Sequence, residues 1–90
     1  MRESEIEKKV SEYAKAKGWL VYKFVSPSQR GVPDKVFIGG GEIFFVEFKA
    51  PGKKPTKLQD KIFGKIRGEL FEVYIIDDVA AGKLLIDKYN

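Results

Sequence analysis

Ninety residues with a formal charge of +4 and a pI of about 9.3 predict one domain spanning residues 1–90, built on one hydrophobic core. The chain has neither cysteine nor histidine, which excludes disulfides, thiolate zinc sites, cysteine nucleophiles, histidine triads and imidazole metal ligands. Any catalysis therefore rests on carboxylates, lysine, hydroxyls or a metal held through oxygen. No apolar run reaches the length of a membrane span, and Met1–Glu5 lacks the hydrophobic region of a signal peptide. The expected location is the cytoplasm, and the basic balance hints at a polyanionic partner.

In chain order, Ser4 to Lys17 reads as a helix, because Ile6, Val10, Tyr13 and Ala14 form one apolar stripe. Gly18 ends it, after Lys15 and Lys17 in the last turn, where cations suit the helix dipole. Trp19 to Val25 is aromatic and β-branched and predicts a strand. Ser26 to Pro33 is a polar turn region broken by Pro27, Gly31 and Pro33. A short strand over Lys35–Ile38 is followed by Gly39-Gly40-Gly41, which permits a tight hairpin returning through Ile43–Lys49. Thr56 is a plausible N-cap for a helix to about Arg67, with Leu58, Ile62 and Ile66 on one face. Phe71–Ile76 is the last strand, and Asp77 or Asp78 caps a final helix to about Lys88. A strand, crossover helix and strand at the end imply a parallel pair. The expected fold is a three-layer α/β domain of order αβββαβα with a mixed four-stranded sheet.

The chemically informative segment runs from Pro33-Asp34 to Glu47-Phe48-Lys49. Strand side chains alternate, so Glu47 and Lys49 project from one face and Val46 and Phe48 from the other. A hairpin pairing these strands brings Asp34, at the mouth of the first, beside Glu47. Two converging carboxylates make a hard-oxygen site suited to Mg²⁺ or Mn²⁺, to which the Phe48 carbonyl adds a third oxygen. Such a metal activates water and stabilises charge in phosphodiester hydrolysis. Lys49 lies close enough to orient that water or neutralise phosphate charge.

Taken singly, Pro-Asp is ordinary turn chemistry and Glu-x-Lys an ordinary exposed ion pair. Here Glu47 directly extends Ile43-Phe44-Phe45-Val46, a run apolar on both faces. A charge pair is costly to bury in such a place, which favours function.

Pro33-Asp34 followed by Glu47-Phe48-Lys49 and Ala50-Pro51-Gly52 resembles the PD-(D/E)xK nuclease superfamily, most closely its virus-type replication-repair nuclease (VRR-NUC) branch. The likeness covers nearly the whole chain, including the helix order and Gln59 after the motif. It implies a metal-dependent DNA endonuclease of a bacterial or phage-infected host cell, similar to Holliday-junction resolvases that act as symmetric homodimers. Other members of the branch cut flaps within larger repair nucleases.

The resemblance also implies a glutamate in the first helix, for which Glu3, Glu5 and Glu7 compete. Relative to Ile6, the apolar stripe centres near about +25°, with Glu3 at about +60°, Glu7 at about +100° and Glu5 at about −100°. Geometry disfavours Glu5 and slightly prefers Glu3, whereas the resemblance prefers Glu7 as an additional ligand or base. Residues 50–67 carry six Lys or Arg against a single acid, Asp60. Of these cations Lys53, Lys54, Lys57 and Lys61 are the expected contacts to DNA phosphates, together with Ser26 and Arg30 before Pro33. Gln59, on the flank of its helix, is a candidate contact to the attacking water or the scissile phosphate. Two other readings stay open: a flap or general DNA nuclease, and a non-catalytic DNA-binding module of a repair complex.

Overall fold

The computed structural model describes residues 1–89. Its elements are α1 (Glu3–Ala16), β1 (Leu20–Lys23), β2 (Lys35–Gly39), β3 (Glu42–Phe48), α2 (Lys57–Gly68), β4 (Glu72–Ile76) and α3 (Val79–Lys88). The sheet order is β1-β2-β3-β4, antiparallel across the first three strands and parallel between β3 and β4. This is the mixed four-stranded sheet and the αβββαβα order expected from the sequence.

Helices α1 and α3 cover one face. Ile6, Val10 and Ala14 recur every four residues and are buried, so a single stripe of α1 meets the sheet. They pack with Val21, Phe37, Phe44, Val46, Phe48, Ile76, Leu85 and Ile86. Gly82 of α3 lies so close to Val10 that a Cβ there would collide with the valine side chain. A side chain at Gly82 would therefore push α1 and α3 apart. On the other face, α2 buries Ile62 and Phe63 and is tied to β4 by Arg67, whose guanidinium donates to the Val73 carbonyl at 2.6 Å. Helix, sheet and helix make three layers.

Several boundaries differ from expectation. The β1 ladder is four residues long: the Trp19 amide donates back to Ala14, and its ring turns into the core against Phe44 and Tyr89. Gly39 belongs to β2, where a Cβ would come within 2.8 Å of the Trp19 indole. The hairpin tip is thus Gly40-Gly41 alone, both with positive φ, as a type I′ turn requires. Leu58 is exposed rather than on the buried face of α2. Asp78 caps α3 by accepting from the Ala81 amide, while Asp77 accepts the Gly52 amide and holds the turn after β3. Leu70, 92% exposed between α2 and β4, has a φ of 70°, a conformation disfavoured for a branched side chain.

Candidate active site

Register brings the acidic pair together. Lys35 pairs with Val46, so Asp34, one residue before the ladder begins, falls level with Glu47. The Asp34 carboxylate accepts the Phe48 backbone N–H at 2.8 Å, which clamps the mouth of β2 to the end of β3. Pro33 just before it is fully buried. Beyond Phe48 the chain stays on the sheet, the Lys49 amide donating to the Ile76 carbonyl of β4 at 3.0 Å.

Strand alternation sends Val46 and Phe48 into the core beneath α1 and turns Glu47 and Lys49 towards α2. Glu47 is only 3% exposed. One of its oxygens, Oε2, accepts from Gln59 Nε2 at 2.9 Å and from Lys49 Nζ at 3.2 Å. The other, Oε1, is buried and has no hydrogen-bond partner. Burial, with the Asp34 charge adding to it, pushes the Glu47 carboxyl above the usual carboxylate range. The ammonium of Lys49 and the amide of Gln59 act in the opposite sense.

Gln59 is set by its place on α2. Thr56 is the N-cap, and its hydroxyl accepts the Gln59 amide N–H at 3.1 Å while its own N–H donates to Gln59 Oε1 at 2.9 Å. This is a capping box. Lys49 Nζ donates to the same Oε1 at 2.9 Å. With its oxygen held by two donors, the amide nitrogen must face Glu47. Gln59 therefore contacts both the carboxylate and the lysine of the motif.

Glu7 lies elsewhere. Of the three candidate glutamates on α1, Glu3 and Glu5 are exposed and Glu7 is partly buried. Its carboxylate stands 3.9 Å from Lys35 Nζ, and Lys35 also donates to the Ser11 hydroxyl at 3.2 Å. Those contacts lie on the α1 side of the sheet, whereas Glu47 points towards α2. Among the described residues, no three carboxylates converge closely enough to form a metal-binding group by themselves. Lys35 and Ser11 were not among the sequence candidates. A lysine opening a strand and a serine inside a helix read as ordinary polar positions, and nothing local links residues 24 apart.

The expected DNA contacts are accessible. Lys53, Lys54, Lys57 and Lys61 are exposed around the start of α2, next to Gln59. Arg30 is exposed and Ser26 partly buried in the loop preceding Asp34. That loop lies against α2 at Gly31, whose φ is +90° and where a Cβ would meet Leu58 and Ile62. Arg67, in contrast, is engaged on the Val73 carbonyl.

A mixed sheet flanked by helices, with Asp34, Glu47 and Lys49 gathered where β2 begins and β3 ends, defines a nuclease of the PD-(D/E)xK type. No protein-family model matches the chain. It is 40% identical over 86 residues to "Putative nuclease p44" of Acyrthosiphon pisum secondary endosymbiont phage 1, covering 94% of this chain and 92% of that protein. A solved structure described as a VRR-NUC domain superposes with a TM-score of 0.88 at 28% identity, over 98% of this chain and 97% of that one. The chain belongs to the VRR-NUC nuclease family.

Proposed function

We propose that this protein is a Mg²⁺- or Mn²⁺-dependent DNA endonuclease selective for branched DNA, with the four-way junction as the leading substrate and a homodimer as the working form. The observation that carries the reading is the state of the Glu47 carboxylate. It is buried, saturated on Oε2 and unpartnered on Oε1, and stands beside a second carboxylate. An orphaned carboxylate oxygen is costly unless something cationic is meant to meet it.

The donor set fits a hard divalent ion. Glu47 Oε1, the Asp34 carboxylate and the Phe48 carbonyl are the oxygens that would hold it; Glu7, beside Lys35 on the α1 side of the sheet, is not one of them. When bound, the ion supplies Lewis-acid polarisation of the phosphate and of the attacking water. The remaining work falls to the protein. Lys49 uses two of its three N–H donors on Glu47 and Gln59, leaving the third for a phosphate oxygen or the attacking water. Gln59 holds the Glu47 carboxylate in one rotamer, so its free oxygen keeps a fixed direction. The exposed lysines at the start of α2 engage the DNA backbone without reading bases.

The homodimer is supported by apolar surface that α2 leaves open. Leu20 and Tyr22 of β1 and Ile43 of β3 are exposed on the α2 side of the sheet. A two-fold pair of sites suits the symmetry of a four-way junction.

The test is cleavage of a labelled four-way junction, with flap, linear duplex and single-stranded controls, in Mg²⁺, Mn²⁺ and EDTA. Asp34→Ala and Lys49→Ala proteins are run alongside. Paired symmetric nicks, lost in EDTA and in both variants, are expected. Cutting of flaps or linear DNA alone would reject the junction as substrate, and binding without cutting would reject the enzyme. A monomer in sedimentation with junction DNA present would reject the dimer.

A further inference from the structure

We propose that Asp77 is a positioning residue for DNA: by holding the Gly52 amide it aims the turn after β3, and with it Lys53 and Lys54, at the DNA backbone beside Lys49. The inference rests on the reading of those lysines as phosphate contacts and adds an acid to the binding machinery.

Residues 50–55 join Lys49 to the Thr56 cap of α2 outside any helix or strand. Within them the Lys53 N–H donates to the Ala50 carbonyl at 3.0 Å. With Pro51 second and Gly52 third, at a φ of 78°, this is the pattern of a type II turn. Proline and glycine specify the shape of such a turn locally, but nothing within it specifies where the turn points. Among the described residues, one hydrogen bond ties this segment to another part of the fold. The Gly52 N–H, unused inside the turn, donates to Asp77 Oδ2 at 3.1 Å, from a residue 25 positions away.

The parallel ladder places Asp77 for this task. Phe48 pairs with Ile76, and the Lys49 amide donates to the Ile76 carbonyl, so Asp77 comes level with Lys49 where both strands end. The neighbouring Asp78 is occupied as the cap of α3. An acid is electrostatically adverse here. It adjoins the turn that carries exposed Lys53 and Lys54, where a negative charge opposes an approaching phosphate. Among the described residues it forms no ion pair with either lysine, so neutralising them does not explain it. The carboxylate is instead engaged by a backbone N–H, and such a charge-assisted bond is stronger than a neutral one. The turn is held while both ammonium groups stay available to DNA.

The test compares wild type, Asp77→Ala, Asp77→Asn and the double variant Lys53→Ala/Lys54→Ala in junction binding in EDTA and in junction cleavage. If only charge matters, removing an acid strengthens DNA binding; if the tether matters, Asp77→Ala weakens it. Asp77→Ala is expected to bind about three- to tenfold more weakly, the scale of one lost hydrogen bond. Asp77→Asn keeps an acceptor oxygen without the charge and should bind at least as tightly as wild type. In cleavage, Asp77→Ala should raise KM by a similar factor and leave kcat within about twofold of wild type. The two lysine substitutions should cost less binding in the Asp77→Ala background than in wild type. Asp77→Ala binding as tightly as wild type, Asp77→Asn losing as much as Asp77→Ala, or fully additive losses would overturn the proposal. An unfolded Asp77→Ala protein, or a kcat that falls with Tm while binding persists, would overturn it too, by making Asp77 structural. If Lys53→Ala/Lys54→Ala binds like wild type, the phosphate-contact reading of these lysines fails and takes the inference with it. If that variant loses binding and Asp77→Ala does not, the reading stands and the inference alone fails.

Discussion

Gln59 and Glu47 are joined at 2.9 Å by a bond that only an amide can make in this setting. A capping box accepts either Glu or Gln at this helical position. Its acceptor function would be served by both, since Oε1 takes the Thr56 N–H and the Lys49 ammonium. The second end of the side chain decides the choice, because it must donate to a carboxylate.

Exchange of that amide is therefore diagnostic. Gln59→Glu keeps the cap and sets a second carboxylate against Glu47 Oε2. On the proposed function, activity is expected to fall about 10–100-fold, the usual cost of losing an orienting partner at a metal site. Thr56→Ala separates the helical role from the proposed catalytic one: it removes the cap hydroxyl and should cost about 1 kcal/mol of stability. Steady-state cleavage rates and thermal melts on the same preparations distinguish the two.

Glu47 is a liability to the metal-free fold. Its carboxyl is raised by burial and by Asp34, so the folded state binds a proton more tightly than the unfolded state. Stability from this group is present below the ordinary carboxylate value and is lost as pH rises through the raised one. Glu47→Gln removes that dependence. The metal-free variant should melt no lower than wild type at pH 7, show a smaller difference between pH 4 and pH 7, and gain no stability from Mn²⁺. Melting curves at the two pH values, with and without Mn²⁺, give all three results. A Glu47→Gln protein stabilised by Mn²⁺ as strongly as wild type would exclude Glu47 as a ligand.

The turn after α2 offers an improvement in stability away from the site. Leu70 is 92% exposed and holds a φ of 70°, so it has strain to lose and almost no packing. Leu70→Gly should raise stability by about 1 kcal/mol, the lower end of the penalty for an L-residue in this conformation. For a domain of this size that is a Tm increase of roughly 4–8 °C, with cleavage unchanged.

Binding to DNA should report the lysines at the start of α2. If Lys54 and Lys57 each neutralise a phosphate, the slope of log K against log salt should become shallower by about 0.9 for each one replaced by Ala. Fluorescence titrations of the metal-free protein at several salt concentrations measure it. An unchanged slope would place the phosphate contacts elsewhere.

Much of the site was legible because it depends on strand periodicity. Alternation alone put Glu47 beside Lys49 and away from Val46, and one hairpin sufficed to bring Asp34 level with Glu47. Gln59 was half legible: its helix and cap were evident, but its contact with Glu47 depends on how α2 settles on the sheet. Lys35 and Ser11 were illegible for a related reason. Each is unremarkable within its own element, and their contact arises only where α1 crosses β2. Leu58 failed in the opposite way, since helical spacing marks a face as apolar without saying how much of it the sheet covers. The late start of β1 follows from Trp19, whose backbone N–H closes the end of α1 on Ala14 while its ring enters the core.

The Gly40-Gly41 turn acts on the active site as a ruler. It lies about 20 Å from Asp34 along β2, and its two residues set how β3 counts back against β2. Slipping that count by one would point Val46 and Phe48 at α2 and drive Glu47 and Lys49 into the layer under α1. The glycines at the far end of the sheet thus decide which side of the protein carries its charge. Length is the property of this loop that selection must guard, more than its composition or mobility.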